Sequence, residues 1–271
     1  MKTNYFSPKM LVCCLALSLC YSANAQDDGG GDLAKQLSNP VAALISVPME
    51  YDTWSDIGPA DDGEKWSFIA KPVVPISISE DWNLISRTIV GYVDQKDIFP
   101  DAGSQSGLSD TLQSFFFSPK EPTASGWIWG AGPVLLAPTA SDDLLGGEKW
   151  GIGPTAVALK QTGPWTYGAL INHLTSFAGD SKRSDFNNTF LQPFIAYNTE
   201  NAVTLTLQTE STYNWDNEEW SVPINVILSK VVKVGPQLVQ LRAGVRYWAD
   251  SAPSNPEGWG VKLAVVLLFP K

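Results

Sequence analysis

The sequence is short of cysteine, histidine, charge and long apolar runs, and each shortage narrows what it can be. Its three cysteines, Cys13, Cys14 and Cys20, all fall in a stretch that reads as a leader. The remainder therefore has no thiol, disulfide or thiolate-bound metal. His173 is the single histidine, too little for a transition-metal site without cysteine. Acidic residues number 28 against 18 basic ones, with no basic block, which argues against nucleic acid as a partner. Charged residues make up 17% of the chain, against roughly a quarter in ordinary soluble domains. Mean hydropathy is only −0.05, and no apolar run after the leader reaches the ~18 residues of a helical span. Low charge with middling hydropathy is what alternating strands produce.

The leader itself is well formed. Lys2 and Lys9 flank an apolar run from Met10 to Cys20, followed by Ala23-Asn24-Ala25 before Gln26. This predicts a signal peptide over 1–25, cleaved after Ala25, with export through the Sec pathway. Lipidation at Cys20 is the competing reading, opposed by the bulky Leu19 before it. Residues 26–42 follow as a flexible or short helical segment, glycine- and aspartate-rich at first and interrupted at Asn39-Pro40. Its place is either the rim or the mouth of whatever follows.

From residue 43 the chain alternates. In 237–248, Val239, Leu241, Ala243, Val245 and Tyr247 share one face, while Gln240, Arg242, Gly244, Arg246 and Trp248 share the other. The last stretch, 258–271, puts Leu263, Val265, Leu267 and Phe269 on one face, although Val266 and Leu268 blur the contrast. Further strands are expected over 43–53, 65–79, 82–95, 107–118, 126–138, 149–161, 165–177, 188–198, 202–214 and 219–232. That makes about twelve. Pro72 and Pro75 weaken the second, because each removes a ladder donor.

A soluble all-β protein would alternate too, so the connections decide. Those after even strands are mostly tight, as at Ser79-Glu80-Asp81, Thr199-Glu200-Asn201 and Gly235-Pro236, with 118–125 the long exception. Those after odd strands (52–64, 95–106, 139–148, 179–187, 249–257) are longer and polar, with 216–218 the short exception. Long loops on one side and short turns on the other predict an antiparallel transmembrane β-barrel over 43–271, in the bacterial outer membrane. Tryptophan agrees: Trp66, Trp82, Trp127, Trp129, Trp150, Trp165, Trp215, Trp220, Trp248 and Trp259 fall at strand ends, where an aromatic girdle would sit at headgroup level. The expected surroundings are outer-membrane lipid and lipopolysaccharide, reached through the barrel-assembly machinery.

Several segments also resemble a group of Gram-negative outer-membrane β-barrels that are classed as transporters and named after a meta-cleavage phenol-degradation pathway. They include Gly126-Trp127-Ile128-Trp129-Gly130-Ala131-Gly132-Pro133, Lys149-Trp150-Gly151-Ile152-Gly153-Pro154 and Thr189-Phe190-Leu191-Gln192-Pro193-Phe194. Thr209-Glu210-Ser211-Thr212-Tyr213 and Leu267-Leu268-Phe269-Pro270-Lys271 continue the likeness. The resemblance implies a fold and a location. It brings no settled substrate and no catalytic set.

If the outward register holds, Lys71, Arg87, Gln208, Glu210, Asn225, Gln240, Arg242 and Arg246 point inward. Two readings stay open: a constriction whose opposed charges filter solutes, or salt-bridged packing that fills a narrow lumen. Likewise Gly130, Gly132, Gly151 and Gly153 either make room or allow strong coiling. The chain is read as no enzyme. His173 has Ser176 three residues on, which a strand places on the opposite face, and Thr175 is the hydroxyl at same-face spacing. No cofactor is expected, and Asp142-Asp143 reads as solvated loop charge. Function is expected to be passage of a small solute, the alternatives being a non-conducting structural or adhesion barrel and a lateral transporter of hydrophobic compounds.

Overall fold

The computed structural model describes residues 30–252 and 255–270; the signal peptide expected over 1–25 lies outside them. After a short helix α1 (Gly30–Leu37) the chain is almost all strand. In order these are β1 (Ile45–Ile57), β2 (Gly63–Ala70), β3 (Val73–Ser77), β4 (Trp82–Lys96), β5 (Ser104–Leu108), β6 (Thr111–Pro119), β7 (Trp127–Ala137) and β8 (Lys149–Thr162). Then come β9 (Trp165–Gly179), β10 (Asn187–Asn198), β11 (Val203–Thr209), β12 (Ser211–Asn214), β13 (Glu219–Val234), β14 (Gln237–Asp250) and β15 (Trp259–Phe269). Neighbours pair antiparallel, and β1 pairs with β15 from Ile45↔Phe269 to Asp52↔Lys262, which closes the sheet. The result is a closed antiparallel barrel of twelve strands, the number the alternation predicted.

Fifteen segments make twelve strands because three strands are broken, each for a local reason. Between β2 and β3, Pro72 has no N–H to give; Lys71 N still donates to Pro48 O at 2.8 Å and Thr88 N to Pro72 O at 3.1 Å. Between β5 and β6 the partners of β4 step from Tyr92↔Leu108 to Ile89↔Leu112, so Ser109-Asp110 carries one extra residue, a bulge. Between β11 and β12, Glu210 faces Pro223, which cannot return a hydrogen bond. At the loop end the strands run further than expected: β1 continues to Ile57, so the connection shrinks from 52–64 to 58–62. An irregularity between Trp54 and Ile57, with Asp56 at φ 57°, turns the chain there.

The outer face is apolar, with Phe68, Ile76, Ile195, Leu205, Leu207 and Val226 exposed. Aromatic rings collect at its two ends. Trp82 meets Trp129, Trp127 meets Tyr167, and Trp165 meets Tyr197 at the end where α1 lies. At the other end Trp66 sits between Tyr51 and Tyr92, Tyr213 between Trp215 and Trp220, and Tyr247 against Trp259; Trp150 is exposed there too. Trp248 is a correction to the expected girdle. Its ring lies 5.8 Å from the inward guanidinium of Arg246, so it faces the lumen.

The half of the lumen nearest α1 is apolar and filled. Ala34 and Leu44 are buried with Ala202, Val231, Val266 and Leu268. On the opposite wall Val41 is buried among Ile85, Phe116, Val157, Leu159 and Leu170. Contacts to both walls mean that residues 30–44 cross the lumen. Gln161 Nε2 donates to Lys35 O at 2.8 Å and Ser38 Oγ to Asn198 Oδ1 at 3.0 Å, anchoring the backbone as it crosses. Val266 and Leu268 blurred the last strand's alternation because they face this segment rather than water. Gly130 also serves it, since a Cβ there would meet Val41 Cγ1 at 3.3 Å. At Gly153, by contrast, a Cβ would run into the backbone carbonyl of His173, so that glycine lets two strands coil closely.

Candidate functional site: the charged lumen

Above the crossing segment the lumen turns polar. Strand parity alone explains which residues arrive: on β1, Pro48, Glu50 and Asp52 face inward while Val47, Met49 and Tyr51 face out. Across the β1–β15 seam Asp52 pairs with Lys262, and along β13–β14 Asn225 pairs with Arg246 and Ser229 with Arg242. Gln208 of β11 pairs with Asn225 on the other side. Glu210 enters at the β11–β12 break and Lys71 at the β2–β3 break, so both interruptions carry a charge into the lumen.

These groups form one ion-pair network. Arg246 donates through Nε to Asn225 Oδ1 at 2.9 Å and through a terminal nitrogen to Glu210 Oε2 at 2.5 Å. Lys262 Nζ lies 2.9 Å from Asp52 Oδ1, 3.4 Å from Glu210 Oε2 and 3.8 Å from Glu50 Oε2. Lys71 Nζ binds Glu50 Oε2 at 2.5 Å. The indoles of Trp54 and Trp248 flank the Arg246 guanidinium at 5.5 and 5.8 Å, a cation–π arrangement that holds the charge in place. Asp52, Arg246 and Lys262 are only 2%, 5% and 7% exposed, so each needs its partners.

Of the residues singled out from sequence, the structure brings Glu210, Asn225 and Arg246 into direct contact. Gln240 accepts from Arg242 Nε at 2.7 Å and donates to Ser229 Oγ at 3.3 Å. Gln208 accepts from Gln192 at 3.2 Å and reaches Glu210 only at 3.5 Å. Lys71 is held by Glu50. Arg87 lines the same space and makes no hydrogen bond or ion pair among the described residues. Sequence reasoning missed Glu50, Asp52 and Trp54, and did not rank Lys262. The signal was available, because Val47, Met49 and Tyr51 alternate with Glu50 and Asp52, although Pro48 blurs the polar face.

The network surrounds a cavity of about 200 Å³. Its floor is the stretch from Leu37 to Leu44, and its walls include Glu50, Lys71, Arg87, Glu210, Arg242 and Lys262 beside the apolar Val73, Leu170, Phe194 and Ile227. Such a chamber is open to a solute of mixed polarity. Among the described residues no cluster of metal-ligating side chains occurs.

By sequence the chain matches no protein-family model and no curated protein. By structure it is similar to the COG4313 outer membrane channel from Pseudomonas putida F1, with TM-score 0.65, 16% identity, and 84% of this chain covering 96% of that one. It is an outer-membrane β-barrel fold. The outer membrane phospholipase A of Escherichia coli is also similar, at TM-score 0.50 and 12% identity, with 88% of this chain covering 98% of that one. This corrects the reading of the chain as no enzyme: the same architecture carries an enzyme as well as a channel, so fold and strand geometry do not set catalysis aside. His173 sits on the outer face, where its Nδ1 is 2.9 Å from Thr189 Oγ1. Ser176 lies on the lumen face opposite Gly151 and donates to Asp185 Oδ1 at 2.9 Å.

Proposed function

We propose that the chain is an outer-membrane channel for small solutes, held here with residues 30–44 across the lumen. The observation that carries this is the polar, charged chamber at mid-height, enclosed by side chains from β1, β4, β11, β13, β14 and β15. A barrel that served only as a scaffold has no need to hold so many ionic groups away from water, since apolar packing of the same volume is as stable or more so. The solute path runs through this chamber, with Arg242 on its wall and Arg246 in the adjoining ion-pair network setting ion preference. The similarity in fold to the COG4313 channel supports the reading, and so does the resemblance of sequence segments to the phenol-degradation group. Location in the outer membrane follows from the apolar, aromatic-girdled exterior.

Single-channel conductance of the refolded chain in planar bilayers tests it. Stable open steps are expected, with selectivity altered in Arg242→Ala/Arg246→Ala. Folded, heat-modifiable protein that never conducts overturns the channel. One observation favours the second reading, a non-conducting barrel: the ion pairs of Arg246 and Lys262, together with the crossing segment, occupy much of the lumen. That reading expects silence even after the crossing segment is released.

A further inference from the structure

The charges around the lumen cavity do not balance. Among the described residues lining it are four cations, Lys71, Arg87, Arg242 and Lys262, and two carboxylates, Glu50 and Glu210. Both carboxylates are engaged. Glu50 is held by Lys71 and Lys262, and Glu210 by Lys262 and Arg246. Asp52, just beyond the cavity, is held by Lys262 and lies 3.9 Å from Arg246. Arg242 donates only to the neutral amide oxygen of Gln240, and Arg87 has no hydrogen-bond partner among the described residues. Two guanidiniums thus face one cavity with no carboxylate of the described residues within ion-pair distance of either. Glu50 and Glu210, which act on them at longer range, are already shared among Lys71, Lys262 and Arg246. The chain's net charge is −10. Overall composition pushes anions away, so this excess is local and built by placement.

A pair of guanidiniums without ion-pair partners in a confined site, where cations outnumber carboxylates, is selective for an anion. The planar fork of arginine fits a carboxylate with two parallel hydrogen bonds, a geometry that a lysine cannot offer. The rest of the lining states what the carboxylate is attached to. Val73 stands directly across the ladder from Arg87, and Leu170, Phe194 and Ile227 complete an apolar wall. At about 200 Å³ the cavity is smaller than the roughly 300 Å³ at which pockets for drug-sized ligands begin.

We propose that this cavity binds a small monocarboxylate with an apolar body, its carboxylate on Arg87 and Arg242 and its body against Val73, Leu170 and Phe194. The proposal rests on the channel reading for its meaning as a transported solute, whereas the binding itself does not require conduction. A fully polar anion would leave the apolar wall unused, and a neutral apolar solute would leave the two cations unpaired.

The test is calorimetric titration of hexanoate into the refolded full chain in detergent, beside methyl hexanoate and inorganic phosphate. Saturable one-to-one binding of hexanoate is expected, with no saturable signal from the ester or from phosphate. Arg87→Gln and Arg242→Gln should each weaken it at least about tenfold, the size of one lost charge-assisted pair. Equal binding of the ester overturns the role of the arginines. Equal binding of phosphate overturns the apolar body, and absence of saturable hexanoate binding overturns the site. Heat-modifiable migration checks that the variants fold, and if they do not, the ligand series on the unaltered chain still decides. Conductance is recorded in parallel. Binding without conductance fails the channel and keeps the site, while conductance without binding does the reverse.

Discussion

Replacing Arg246 with alanine removes the most connected cation of the lumen. In one step Glu210 loses a direct charge-assisted bond, Asn225 Oδ1 loses its donor, and the indoles of Trp54 and Trp248 lose the guanidinium between them. Breaking a buried pair from one side costs about 3–5 kcal/mol. Glu210 keeps Lys262 at 3.4 Å and its side chain is 17% exposed, so the low end applies, about 3 kcal/mol. The measurement is denaturant unfolding of the barrel from lipid vesicles, followed by tryptophan fluorescence. Glu210→Gln and the double variant close the cycle, and a coupling of about 1–2 kcal/mol is expected, within the range for residues in one network. The alanine variant costing under about 0.5 kcal/mol, the size of an ordinary surface substitution, would refute the claim that this network is tightly held.

Three further outcomes follow from the same structure. Val41→Asp places a carboxylate among Ile85, Phe116 and Leu170, which expels residues 30–44 from the lumen, and single-channel recordings should show larger or more frequent open steps than the unaltered chain. Phe116→Ala empties a fully buried ring position and should lower unfolding stability by about 3 kcal/mol; a loss below about 1 kcal/mol would mean that the apolar half of the lumen is loosely packed. The Asp185 carboxyl is held below its ordinary 3.8 by hydrogen bonds from Lys149 and Ser176 and by the Lys149 charge. A folded value below the unfolded one means that the tie stabilises the 180–186 connection above the ordinary carboxylate value and is lost as pH falls through the lower folded value. Protease cleavage within 180–186 should therefore rise only below about pH 4, and Asp185→Asn should flatten the profile.

Much of the architecture was legible because its cause is periodic. A strand that separates hydrocarbon from lumen must alternate, so 237–248 announced its two faces and the tryptophans announced the ends of the span. Where a partner sits on the lumen face instead of water, alternation fails. Val266 and Leu268 read as noise for that reason, and the apolar lumen around Val41 gave no signal that its position in the chain could supply. Trp248 misled in a related way, since a strand-end indole serves a headgroup layer or an inward arginine with the same sequence signature. Glu50 and Asp52 were legible by parity and passed over, because proline and methionine neighbours disguised a polar face.

Alone, the amino-acid order determined that the chain forms long amphipathic strands, about how many, and which side chains can share a face, because each of those depends on neighbours two residues apart. Only closure of the barrel decided which faces meet. Asp52 and Lys262 are 210 residues apart in sequence order and 2.9 Å apart in space, a distance set by the β1–β15 register. The same closure leaves Arg87 and Arg242 facing one cavity with no carboxylate of the described residues within ion-pair distance of either, because Glu50 on β1, between their strands, is taken by Lys71 and Lys262. Charge balance in a lumen is a property of the circle of strands, and no single strand carries it.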